Sequence, residues 1–91
     1  MEIITVMQAV FSQPPLPFDA NRQPLKSWAK YCLQDRGFKL VYAANADFAI
    51  ESKGKKYYFN VATSAENLAP DVGWIVVDGS GKTASVIAPQ A

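Results

Sequence analysis

A short central segment carries side chains with the types that phosphodiester chemistry uses. Asp47 and Glu51 are carboxylates, Asn60 is a neutral carbonyl donor, and Lys53, Lys55 and Lys56 are cations beside Tyr58. Carboxylates hold Mg²⁺, and a lysine steadies an attacking water or a phosphate. Lysines beside an aromatic ring also suit plain binding of a nucleic acid strand. A second set lies near the C-terminus. Gly79-Ser80-Gly81-Lys82-Thr83 has the letters that end a phosphate-binding loop. That loop needs a glycine five places before Gly81, and Val76 stands there. It also needs a helix next, whose N-terminus holds the phosphate. Ala84-Ser85-Val86-Ile87 reads as a strand instead, so the segment reads as a hairpin turn and no nucleotide is expected.

Composition removes further activities. The chain has 91 residues, no histidine and one cysteine, Cys32. A Ser-His or Cys-His nucleophile pair is therefore excluded, and so is an internal disulfide. Structural zinc needs four Cys or His ligands, so no metal or cofactor is expected. Net charge is only +1, with residues 1–65 at +3 and residues 66–91 at −2. Such a balance gives no global push toward nucleic acid. The first residues lack a positive n-region and a small-residue cleavage site, and their apolar run ends by Phe11. A membrane span needs about 20 apolar residues, so neither leader nor span is expected and the cytoplasm is the default compartment.

The elements that must position these groups follow from periodicity. One α+β domain is expected over residues 1–91, with an N-terminal element and Pro-rich loop (1–23) and a core (24–88). Ile3, Val6, Met7, Val10 and Phe11 fit a helical stripe, while the β-branched run Ile3-Ile4-Thr5-Val6 favours a strand. The balance leans to strand, and either way the segment is core material. Four prolines between Ser12 and Pro24 remove backbone donors and mark a loop. Pro14-Pro15-Leu16-Pro17 has the PxxP spacing that aromatic grooves read, but a stiff connector with Leu16 and Phe18 over the core explains it as well.

The main helix is expected over about 24–36. Leu25, Trp28, Ala29, Cys32 and Leu33 recur at helical spacing, Pro24 suits its start and Gly37 its left-handed end. Cys32 inside that stripe reads as a buried, inert thiol. Phe38 to Ala44 alternates as a strand. Trp74 to Asp78 is apolar on both faces, as in a strand inside a sheet. Lys82 to Ala88 is a final strand. Residues 64–73 read as an irregular loop, with a helical turn at 65–68 and Pro70 in it.

Between them lies a hairpin. With Lys53-Gly54 as its two loop residues, Glu51 faces Lys56, Ala49 faces Tyr58, Phe48 faces Phe59 and Asp47 faces Asn60. One face then carries Phe48, Ile50, Tyr57, Phe59 and Val61. The other carries Asp47, Ala49, Glu51, Lys56, Tyr58, Asn60 and Ala62. A one-residue slip would mix the two sets, which fixes the register. In it Glu51 lies about 13 Å along the strand from Asp47 and is expected to pair with Lys56.

An Asp on one strand, a tight turn, and a strand of the form apolar-apolar-Glu-Val-Lys resembles the core of PD-(D/E)XK nucleases, the family of restriction endonucleases and Holliday junction resolvases. The resemblance covers roughly residues 25–78 and implies a minimal restriction endonuclease-like core: the main helix on a mainly antiparallel sheet of four to six strands. It places Asp47 at the metal-binding carboxylate, Asn60 at the second carboxylate and Ala62 at the lysine. Two of the three letters are changed, so these are vestigial positions and no catalytic residue is expected. The family's helix after the third core strand is missing or reduced here.

The expected function is a non-catalytic interaction module that binds protein, as a homodimer or an accessory subunit. The eleven aromatic residues are many for so small a core and favour an interface. The alternative is an inactive nuclease-like domain that binds nucleic acid through the basic hairpin 53–56, with Lys53, Lys55, Lys56 and Tyr58 in contact. Asp47 and Asn60 also have a purely structural reading, as hydrogen-bond partners of each other.

Overall fold

The computed structural model describes residues 2–19, 21–64, 66, 68–78 and 81–89. Two helices, α1 (Glu2–Ser12) and α2 (Leu25–Arg36), pack on one face of a sheet of five strands. The strands are β1 (Lys39–Val41), β2 (Phe48–Ser52), β3 (Lys55–Ala62), β4 (Gly73–Val77) and β5 (Ala84–Ile87). They lie in sequence order across the sheet. Three pairings are antiparallel and one, β3 with β4, is parallel, so the sheet is mixed. The α+β class and the number of strands agree with the sequence reading. Among the described residues no helix is long and apolar enough to cross a membrane.

The N-terminal segment is a helix, which corrects the leaning to strand. Met7 and Phe11 are fully buried and Val10 nearly so. Burying such a side chain contributes about 1.5–3 kcal/mol, far more than the few tenths by which β-branching disfavours a helix. The helix also closes a sheet edge. Gln8 Nε2 donates to the Ala84 carbonyl at 3.1 Å, and Val86 N–H donates to Gln8 Oε1 at 2.9 Å. One side-chain amide thus pairs with β5 as a neighbouring strand would, on an edge that otherwise invites aggregation.

The Pro-rich segment is a connector. Trp28 Nε1 donates to the Leu16 carbonyl at 3.0 Å, and the Phe18 ring packs against that of Trp28 at 5.6 Å. Phe18 N–H donates to the Gly81 carbonyl at 2.7 Å. Helix α2 buries Trp28, Ala29, Cys32 and Leu33. Pro24 stands just outside it as the cap residue, and Gly37 ends it with φ 104°.

The core lies between the helices and one sheet face, which carries Leu40, Phe48, Ile50, Tyr57, Phe59, Val61, Ile75, Val77 and Val86. Gly73 sits opposite Phe59, and a Cβ there would meet the ring at 2.3 Å, so glycine is what lets the Phe59 ring lie flat over β4. The expected strand at Phe38 to Ala44 shortens to three residues: the chain leaves the sheet at Tyr42, which is 88% exposed. The helical turn expected at 65–68 includes residues 65 and 67, outside the described set.

Candidate functional site

The hairpin has the register read from the sequence. Phe48 faces Phe59, Ala49 faces Tyr58, Ile50 faces Tyr57, Glu51 faces Lys56 and Ser52 faces Lys55. Lys53 and Gly54 both take positive φ, 53° and 79°, as a two-residue turn of this hand requires. The ladder ends at Phe48–Phe59. Beyond it, side chains continue the pairing. Asp47 N–H donates to Asn60 Oδ1 at 2.7 Å, and Val61 N–H donates to Asp47 Oδ2 at 2.9 Å.

Asp47 and Asn60 are thus brought together, as a clasp that holds the entry of β2 against β3. Each bond is between a side chain and a backbone N–H, and one has a carboxylate acceptor, the stronger kind. One oxygen of each side chain, Asp47 Oδ2 and Asn60 Oδ1, is engaged in this clasp. Ala62 follows on β3 and offers only a methyl group. Among the described residues no three Cys, Asp or Glu side chains gather as a metal-ligating group.

Glu51 does not pair with Lys56 as expected. Its partner is Lys39 on β1, Nζ to Oε1 at 3.0 Å. Lys39 lies directly opposite Glu51 in the β1–β2 register as Lys56 does in the β2–β3 register, so the carboxylate has a cation on each side and its hydrogen bond goes to Lys39. The hydrogen bond and charge of Lys39 hold the Glu51 carboxyl below the usual range, with a smaller pull from Lys56. Lys55 and Lys56 are exposed at the hairpin tip, and Tyr58 is 36% exposed on the same strand.

The Gly81-Lys82-Thr83 segment lies in the connection between β4 and β5. Asp78 organises the described part: Gly81 N–H donates to its Oδ1 at 3.0 Å and Thr83 Oγ1 donates to its Oδ2. The Gly81 N–H that would cradle a phosphate is used by Asp78, and β5 follows where such a loop has a helix. Residues 79 and 80 lie outside the described set. Cys32 is fully buried, and that burial pushes its thiol up to about 12, with Asp35 adding to the shift.

The feature that sequence reasoning missed is on the other side of the sheet. Both helices cover one face. Register places Val41, Ala49 and Tyr58 in one row of the opposite face, Asn60, Trp74 and Ile87 in the next, and Ala62, Val76 and Ser85 beyond. The β3–β4 crossover, residues 63–72, runs over part of this face, where Trp74 Nε1 donates to the Ala69 carbonyl at 2.8 Å. Between crossover and sheet lies a groove of about 190 Å³ lined by Leu68, Ala69, Pro70, Val72, Trp74, Ile87 and Ala88. Among the described residues no helix lies over the rest. Trp74 and Val76 stay partly exposed, while Gly73, Ile75 and Val77 on the other face of β4 are buried. The sequence signal was β4 itself, apolar on both faces; it implied two covered faces, and one lacks a helix.

No protein-family model matches the chain, and a search of curated proteins and of solved structures gives no match either.

Proposed function

We propose that the chain is a non-catalytic interaction module that binds protein through the helix-free face of its sheet. The observation that carries this reading is the run of apolar and aromatic side chains there, Val41, Tyr58, Trp74, Val76 and Ile87, with no helix over them. Antiparallel sheets that face water on one side normally alternate apolar-in and polar-out. The inner strand β4 does not, since Trp74 and Val76 lie on that face, and an exposed aromatic such as Tyr58 favours an interface. The clasp supports the absence of catalysis. Asp47 and Asn60 each give one oxygen to a backbone N–H, and the third vestigial position is Ala62.

The nuclease-like ancestry belongs to the same proposal. A helical crossover joins parallel strands in the ordinary case. Here β3 and β4 are parallel and adjacent, yet the described residues between them form no helix. On this reading the chain keeps the order of a restriction endonuclease-like core and has lost the helix that would cover the second face.

The test is capture from lysate by the tagged chain and by Tyr58→Asp, with melting temperature as the control for folding. Proteins retained by the first and lost by the second support the reading. Retention unchanged by Tyr58→Asp and by Val76→Asp refutes it. A second reading rests on Lys55 and Lys56, exposed on the strand that also presents Tyr58. It is nucleic-acid binding through the hairpin 53–56, and gel-shift at low salt with Lys55→Glu and Lys56→Glu decides it. No shift, or a shift the variants leave unchanged, removes it.

A further inference from the structure

We infer that the occupant of the helix-free face is a second copy of this chain, packed sheet to sheet about a two-fold axis. This rests on the reading of that face as a protein-binding surface. The two halves of the face are complementary in shape and in charge. The β1–β3 half is raised and has a cation at one end: Tyr58 stands from it and Lys56 is exposed two residues before it on the same face, while Glu51 there is paired with Lys39. The β4–β5 half is grooved and acidic: the groove between Pro70, Trp74 and Ile87 lies there, and the crossover beside it carries exposed Glu66 and Asp71.

A two-fold axis that runs along the strands between β3 and β4 lays each half on the opposite half of the other copy. Packed sheets keep their strands within about 30° of parallel, which this axis allows. Tyr58 of each copy then meets the apolar groove of the other. Lys56 meets Asp71, which precedes Gly73 by two residues, while Gly73 pairs with Phe59. Asp71 therefore sits toward the same end of the sheet as Lys56. Every contact occurs twice, as an isologous interface requires.

Size sets the strength. Five strands at a spacing of about 4.8 Å, each about five residues long, bound the face at about 24 by 17 Å, or roughly 400 Å². A stable complex buries about 800 Å² per partner, and smaller interfaces are weak and reversible. The pairing is therefore reversible and concentration-dependent, and it weakens with salt because its charges lie at the rim.

Sedimentation velocity on the full chain from low to high micromolar concentration tests this. The expected result is reversible dimerisation, weakened at least tenfold by Tyr58→Asp. Lys56→Glu and Asp71→Lys are each expected to weaken it alone, and their equimolar mixture to restore it, because both ion pairs re-form across the mixed dimer. Each variant is first shown to melt like the parent chain. A monomer at every concentration overturns self-pairing; if Tyr58→Asp still abolishes capture of another protein, the reading of the face survives. A dimer that none of the three substitutions weakens overturns pairing through this face, and the capture experiment then decides the reading of the face separately.

Discussion

The clasp between Asp47 and Asn60 makes a quantitative prediction, because the structural and catalytic readings of Asp47 differ in what its loss would change. In Asp47→Ala the Val61 N–H loses its carboxylate acceptor, 2.9 Å away, while the bond from residue 47 N–H to Asn60 Oδ1 remains. A hydrogen bond to a charged group contributes about 1.5–3 kcal/mol, and a stranded buried donor costs about 1–3 kcal/mol. The site is only part-buried, so water replaces some of the lost bond, and the low end applies: about 1.5 kcal/mol. In a domain this size each kcal/mol moves the melting temperature by about 4–8 °C, so a fall of about 6–12 °C is expected. Asp47→Asn keeps an acceptor without charge and should lose about half as much. Urea unfolding followed by tryptophan fluorescence measures the change, and incubation with branched and linear DNA in Mg²⁺ or Mn²⁺ runs beside it. Stability unchanged within about 0.3 kcal/mol, well below the worth of one such bond, together with a DNA-cleaving activity abolished by Asp47→Ala, would refute the structural account.

Four further substitutions probe the packing and polar contacts of the sheet. Gly73→Ala drives a Cβ into the Phe59 ring and should cost about 1–3 kcal/mol by overpacking, with partial rescue by Phe59→Leu; chemical denaturation checks both. Gln8→Ala removes both bonds to the outer edge of β5 and should cost about 1–2 kcal/mol, and light scattering should register more aggregation as that edge opens. The Lys39–Glu51 pair predicts a pH dependence. The Glu51 carboxyl is held below its ordinary range when folded, so its contribution is complete above the ordinary carboxylate pKa and is lost as pH falls through the lower folded value. Melting temperature measured from neutral to acid pH should show a small decline there, and Lys39→Met should flatten it.

Sequence and structure agree where one local rule had no competitor. The hairpin register followed from a two-residue turn and from a division into faces that a slip would have mixed. The proximity of Asp47 and Asn60 came with it. Helix α2 was legible because its apolar stripe met no β-branched run. The N-terminal segment carried both signals, and burial of Met7, Val10 and Phe11 against the sheet decided it, which is a tertiary fact. The parallel β3–β4 pairing had no sequence mark, because the usual one is a helix in the crossover and here the described crossover has none. Glu51 chose Lys39 over Lys56 because β1 lies beside β2, which hairpin register alone does not state. The helix-free face was written in β4, but a strand apolar on both sides reads the same whether its second cover is a helix or another molecule.

A photo-reactive phenylalanine analogue placed in turn at two exposed tyrosines reports which face of the molecule meets another protein. Tyr58 lies on the helix-free face, and Tyr31, 47% exposed, lies on the outer side of α2. Illumination of the purified chain at high micromolar concentration, and of the chain in lysate, should give cross-linked protein from position 58 and little from position 31. Cross-links from position 31 with none from position 58 would contradict the account.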